Sequence, residues 1–474
     1  MFVMYFLKKN YIAILCIIFW CVITLIRVFN HFPWYDEAHA WTIAQDLNLI
    51  EIIKLMKYEG HTILWYLCLM PFAKLNIGYP YSMLLINWLF CFVAMLILWF
   101  KSPFNNWIKI FISFSFPFLG YFPVVARCYS IGIMFLFMLC AMFSDRLKHK
   151  NWYALLLILC ANTSVMAIVC SAVLGCEFVF QLVRNKVKEI FPYIILAFGG
   201  LLILLQLGLS INENIEKESL ISSVISSGSS FVGLIILAIK ILIFALIFGI
   251  PLVIFYIKNK IFPWFLIGSY ILLAMIFLFV YMGSWWHYYF AYIFLIVSCW
   301  LVLANNKELK FAKLPIVVLN VISLILIFYM PKDDMMPKIF NGDYQQTAEF
   351  IKNDQNLSNA NIIYFTYYAL PLEKYLEKSD VSFENYCFEN LKIKPFHLEN
   401  AYCDKKREYV NISYDYFNMF LKTQRNNFVF DDDGYLGLTD GFELKNPDNS
   451  KQYIKFVLYK TLKNDNFYKI EKYE

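Results

Sequence analysis

The sequence predicts an all-α, polytopic membrane protein that carries a small α/β domain after residue 330. Three observations lead there. Of the 474 residues, 60% are hydrophobic and 16% are charged, with a mean hydropathy of +0.57. Soluble domains run about 45–50% apolar and about 25% charged. Long apolar runs recur through residues 1–330, with short basic clusters between them. Residues 331–474 then hold 19 Lys+Arg, 23 Asp+Glu and no Trp, leaving 22 basic and 12 acidic groups before them. This composition excludes a cytosolic enzyme. It also excludes a disordered chain, because so much apolar surface is available for burial. The net charge of +6 reflects cytoplasmic loops that collect Lys and Arg, and it points to no nucleic acid.

The first expected span is Tyr11 to Phe29, since a crossing takes about 20 mostly apolar residues. Lys8 and Lys9 precede it, which places the N-terminus in the cytoplasm. The run is followed by His31, Phe32, Pro33 and Trp34 rather than small residues, so it reads as an anchor and not a cleaved leader. Residues 31–60 become an outer loop. Apolar segments at 62–77, 81–100, 107–120, 129–144, 152–163, 165–183, 190–210, 231–257, 262–281, 288–304 and 314–330 bring the expected total to about 11–12 membrane segments. Basic clusters at 145–150, 184–188, 258–260 and 307–313 read as cytoplasmic turns and place the domain after Tyr329 outside. That placement needs an odd number of crossings. Segment 62–77 is short and interrupted by Pro71 and Lys74, so it reads as partial or re-entrant.

In residues 331–474, Tyr344 to Ile351 and Leu372 to Leu376 have helical spacing. Ile362 to Tyr368 and Tyr453 to Leu462 are β-branched and aromatic runs. The alternation predicts a small sheet carrying helices. Ten of the twelve cysteines lie in apolar segments, where they act as small hydrophobes. Cys387 and Cys403 lie in the tail, and a disulfide and two free thiols are equally open there.

Candidate chemistry concentrates in the outer loop, which reads Pro33-Trp34-Tyr35-Asp36-Glu37-Ala38-His39-Ala40-Trp41 and then Tyr58-Glu59-Gly60-His61. Adjacent carboxylates at the lip of a span are costly to desolvate. Ala40, Ile43, Ala44 and Leu47 fall on one face, which predicts an amphipathic helix lying along the interface. Asp36 and His39 share a face of it at i, i+3. The plain alternative is a helix start, because acids there favour the macrodipole. Glu59 and His61 bring a second acid and imidazole to the same membrane side, or serve as interfacial anchors. Arg127, in Pro123-Val124-Val125-Ala126-Arg127-Cys128-Tyr129-Ser130, suits a phosphate, or snorkels. His287, in Gly283-Ser284-Trp285-Trp286-His287-Tyr288-Tyr289, suits a phosphate or sugar. Trp286 and its aromatic neighbours suit sugar stacking or an aromatic belt. The chain has no G-x-S-x-G, H-E-x-x-H or Walker lysine motif. Asn162, Asn356 and Asn411 match glycosylation acceptors by pattern only.

A first span, an outer Asp-Glu pair in an aromatic setting and a Glu-Gly-His run before the next apolar segment together resemble the GT-C superfamily. These are polytopic glycosyltransferases that use lipid-linked sugars. The nearest group is similar to the protein O-mannosyltransferases and lipid A aminoarabinose transferases of glycosyltransferase family 39. The likeness covers roughly residues 1–305, and a small outer C-terminal domain fits as well. Thr62 and Ile63 stand where that family carries two prolines, and no acid follows Arg127 within Ser130 to Leu139.

The resemblance implies a sugar on a polyprenyl monophosphate as donor, and a hydroxyl of a lipid, glycan or protein as acceptor. It implies inverting transfer at the outer face, in contact with membrane lipid. Asp36 would be the general base, and Glu37 its support or a metal or acceptor contact. His39, Trp41, Glu59, His61, Arg127, Tyr129, Trp286 and His287 would bind substrate. A divalent metal ion stays open, with Asp36, Glu37, His39, Glu59 and His61 as potential ligands. Two other readings compete: an envelope polysaccharide polymerase or ligase, and a non-enzymatic flippase or transporter of lipid-linked sugars. Transporters line the middle of several helices with charge, whereas here the polar groups lie at segment ends.

Overall fold

The computed structural model describes residues 2–208, 264–279, 285–305, 343–364, 370–377, 379–385, 426–431, 440–445, 451–462 and 465–473. In chain order the helices are α1 (Phe2–Phe29), α2 (Tyr35–Asp46), α3 (Leu49–Glu59), α4 (Leu64–Lys74), α5 (Tyr81–Lys101), α6 (Asn106–Ser113), α7 (Tyr129–Met142), α8 (Lys150–Ala161), α9 (Val165–Arg184), α10 (Phe191–Gly208), α11 (Trp264–Phe279) and α12 (Tyr289–Asn305). The tail adds α13 (Asp343–Asn353), β1 (Asn361–Tyr364), α14 (Leu370–Leu376), β2 (Ser382–Asn385), β3 (Asn427–Asp431), β4 (Phe442–Lys445), β5 (Tyr453–Leu462) and β6 (Asp465–Tyr473). The chain divides into two compact units. One comprises Met1–Asn30, Asn48–Pro71 and Tyr81–Pro331; the other comprises His31–Leu47, Phe72–Pro80 and Lys332–Glu474.

The first unit is helical. Among the described residues, three helices are long and apolar enough to cross a membrane: Asn10–Phe29 of α1, α5 and α9. Helices α7, α8, α10, α11 and α12 are apolar but shorter. Only 17% of the most apolar window of α1 is buried, and Leu15, Ile18, Phe19, Val22 and Ile26 are exposed. Such a surface suits lipid, not water. Inside, α5 packs on α1 and α7, and α8 packs on α7, α9 and α10. Trp20, Trp65, Phe118, Phe137 and Trp300 fill this interior.

Two of the expected segments form short helices, of which 62–77 is the one expected to be short. Residues 62–77 yield α4, which has 11 residues and contains Pro71. Residues 107–120 split into the eight-residue α6 and a π-helical turn, Pro117–Tyr121. The Ser115 hydroxyl turns back onto the Ile112 carbonyl at 2.7 Å, and Pro117 has no N–H to continue the ladder. Segments 231–257 and 314–330, the basic clusters at 258–260 and 307–313, Asn411, Cys387 and Cys403 lie outside the described residues.

The expected interfacial helix is also different. Helix α2 is not half-exposed: Glu37 through Ala44 are all buried. The small Ala38, Ala40, Thr42 and Ala44 suit burial as well as they suit one apolar stripe. The helix with an apolar outer face is α3, where Leu49, Ile50 and Ile53 are exposed while Ile52, Leu55 and Met56 are buried.

Within the second unit, the described residues hold a six-stranded sheet in the order β2-β1-β3-β6-β5-β4. Strand β1 runs parallel to β2 and β3, and the other pairings are antiparallel. Ile351, Leu357, Ile362, Leu372, Phe428 and Phe467 form its core. The expected strand at Tyr453 to Leu462 is β5, and both expected tail helices are present as α13 and α14.

Helix α7 meets the α8–α9 turn closely. A Cβ on Gly132 would lie 2.7 Å from Thr163 Oγ1 and 3.3 Å from Ala167 Cβ, whereas one on Gly175 would meet nothing within 4 Å. Gly132→Val is expected to destabilise the helical unit by ~1–3 kcal/mol through overpacking, seen as a lower Tm in detergent. Gly175→Ala is expected to hold or raise Tm, because the helix-propensity gain is up to ~1 kcal/mol.

Candidate functional site

Within the helical unit, four of the expected residues come together from distant stretches. His61 follows α3, which ends at Gly60 in the left-handed region with φ 66°, a conformation that favours glycine. The next residues, before α4 begins at Leu64, belong to no helix, and their backbone groups need partners from elsewhere. His61 forms an isolated antiparallel bridge with Ser164. Thr62 Oγ1 donates to the Ala161 carbonyl at 3.2 Å. The Leu64 N–H donates to the Asn162 carbonyl at 3.0 Å. The Ile63 N–H donates to Gln206 Oε1 at 3.0 Å, and Gln206 Nε2 donates to Asn162 Oδ1 at 3.0 Å. Asn162 therefore closes a buried joint.

Arg127 sits on the turn after the π-helical segment. The Phe122 carbonyl accepts from Asn87 Nδ2 at 2.8 Å and from Ser130 Oγ at 2.6 Å. These bonds clamp both sides of the turn. Arg127 Nη2 lies 3.1 Å from His61 Nε2. A guanidinium has no acceptor, so it donates, and the His61 Nε2 lone pair receives. Arg127 also lies 5.9 Å from the Tyr129 ring centroid, within cation–π range. The His61 ring meets Tyr129 edge-on at 5.9 Å. The Tyr129 hydroxyl is 3.0 Å from His287 Nε2. Tyr129 and His287 are buried, and the Trp286 ring lies 5.6 Å from His287. Glu59 Oε2 accepts from the Tyr66 hydroxyl at 3.0 Å.

The remaining expected residues lie on α2, in the second unit. Trp34 is the N-cap residue, and Glu37 supplies the capping carboxylate. Glu37 Oε2 accepts from the Trp34 N–H at 3.0 Å and pairs with His31 Nε2 at 2.8 Å, with both side chains 0% exposed. Asp36 is half-buried in the first turn, where the helix macrodipole favours its charge. His39 is buried and stacks on Tyr35 at 5.5 Å. Trp41 is buried, its ring 5.5 Å from Tyr79.

His31, Tyr66 and Gln206 were missing from the sequence-derived set. A lone amide near the end of the apolar α10 was the available signal for Gln206. Among the described residues, no three His, Cys, Asp or Glu side chains group as metal ligands. The Nε2 lone pair of His61 is directed at Arg127.

The two adjacent acids should respond differently to substitution. Glu37→Ala removes the buried carboxylate that pairs with His31 and is expected to cost ~3–5 kcal/mol. Asp36→Asn keeps the shape of the side chain and removes a half-buried first-turn charge, whose interaction with the helix macrodipole is worth about 0.3–1 kcal/mol. Denaturant or thermal unfolding of the purified variants checks this; equal losses would contradict the assignment.

No family model matches the chain, and no curated protein matches it either.

Proposed function

We propose that this chain is a GT-C-like membrane glycosyltransferase that moves a sugar from a polyprenyl-monophosphate donor to a hydroxyl acceptor. One observation carries the reading. His61, Arg127, Tyr129 and His287 come from three separate stretches of sequence and form one linked chain of polar side chains at the ends of apolar helices. A permanent cation held half-buried beside hydrogen-bonding rings has the chemistry to receive a phosphate. Such a headgroup is anionic and its tail is apolar. Exposed apolar faces on α1 and α10, with Phe198, Leu201 and Leu204 on the latter, provide surroundings that suit an isoprenoid.

In this reading the acceptor oxygen attacks the anomeric carbon and its proton passes to a carboxylate. The bond from that carbon to the phosphate oxygen breaks, and the electron pair leaves with the phosphate. Direct displacement inverts the configuration. The base is Asp36; Glu37 holds the start of α2 through His31 and the Trp34 N–H. Arg127 offsets charge on the departing phosphate. No step is assigned to a metal.

The test is sugar release by purified protein from a panel of polyprenyl-monophosphate sugars, with acceptor supplied. Asp36→Asn is expected to lower kcat ~10²–10⁴-fold, the span of general-base catalysis, with donor binding retained. Arg127→Gln is expected to weaken donor binding itself, read by thermal shift. Wild-type protein that neither turns over nor binds any monophosphate donor would remove this reading. Binding of diphosphate-linked chains instead would favour a polymerase or ligase.

A further inference from the structure

Helix α2 is held at both ends by groups of its own unit. Its start is fixed by Glu37, His31 and Trp34. At its far end the last carbonyls face a cation: Lys74 Nζ donates to Gln45 O at 3.1 Å and to Leu47 O at 2.9 Å. A positive charge at a helix C-terminus satisfies carbonyls that lack intrahelical partners. On the tail side, Lys374 of α14 reaches the same place. Its Nζ donates to Gln45 Oε1 at 3.1 Å and to Glu377 Oε1 at 3.0 Å. Gln45 Nε2 donates in turn to Glu377 Oε1 and Oε2 at 3.2 and 3.3 Å.

The Lys374 side chain is only 3% exposed. An i, i+3 Lys–Glu pair on a free helix face keeps its ammonium in water and contributes little. A buried ammonium needs its donors matched, and one of its acceptors here is on α2. Beside this ring of bonds, the Tyr79 ring stands 5.5 Å from Trp41 and 5.6 Å from Tyr375. Helix α14 packs against α2.

We propose that the C-terminal region is the positioning scaffold of the Asp36 helix, with Lys374 as the positioning residue that fixes it. The idea deepens the transferase reading, which it needs only for its kinetic arm. Gln45 lies nine residues beyond Asp36, about 13 Å along a rigid helix. A shift at Gln45 therefore tilts the carboxylate, and small misplacements of a reacting group lower turnover more than binding.

The experiment compares full-length wild type, Lys374→Met and Lys374→Arg in detergent by hydrogen–deuterium exchange. Lys374→Met is expected to speed exchange of the α2 amides at least ~10-fold, with β5 and β6 amides unchanged. With a donor in hand, kcat falls ~10-fold or more at constant KM, and Lys374→Arg restores most of both. Exchange in α2 that stays within about two-fold of wild type overturns the proposal. If β5 and β6 also loosen in Lys374→Met, Gln45→Met breaks the same bond from the α2 side and is read by the same two outcomes. A wild type without turnover counts against the transferase reading alone, because the exchange result still decides the scaffold.

Discussion

Every break in an apolar helix leaves backbone N–H and C=O groups that need partners, and apolar surroundings supply none. In this chain the partners are side chains from other helices. Gln206 satisfies the N–H of Ile63, and Thr62 satisfies the carbonyl of Ala161 at the end of α8. Asn87 and Ser130 satisfy the carbonyl of Phe122. Trp20 Nε1 donates to the carbonyl of Phe118 inside the π-helical turn at 2.8 Å. The cluster of His61 and Arg127 sits where two such breaks meet. Its geometry is therefore a by-product of satisfying the backbone, which gives it rigidity without a dedicated frame.

The two acids that look equivalent in the sequence divide their work by one helical position. Glu37 stands at the third residue of α2, where its side chain reaches back to the N–H of Trp34. Asp36 stands one residue earlier and stays half-buried. A buried carboxylate with a histidine partner is a poor proton acceptor for an outside substrate, because any change in its charge breaks a pair that the fold needs. That asymmetry assigns the structural duty to Glu37.

Much of the architecture was legible. The end of α1 at Phe29, the limits of β5 and the turn at Arg127 follow from hydropathy, β-branched runs and a lone cation between apolar stretches. The partnership of His61 with Arg127 was legible only as a shared membrane side. What escaped was non-local. Helix α2 reads as amphipathic because Ala and Ile recur on one face, and nothing within those twelve residues reveals that the rest is also covered. The cover includes α14, more than 300 residues later in the chain. The break in segment 107–120 was visible in Ser113, Ser115 and Pro117, yet mean hydropathy averages such residues away.

The bond between Gln45 and Lys374 spans 329 residues, and that distance has a temporal side. At a synthesis rate of about 5–20 residues per second, α2 leaves the ribosome roughly 16–66 s before its partner exists. The sheet core waits too, though for less time, because β1 takes its place between β2 and β3 and Asn361 of β1 pairs with Asn427 of β3, 66 residues later. The β5–β6 pair is local and free to form on its own schedule, but the centre of the sheet is not. During that interval a helix with two acids in its first turn and Trp41 at its middle waits without its enclosure. Biogenesis of this protein thus depends on keeping one early segment from finding the wrong partner.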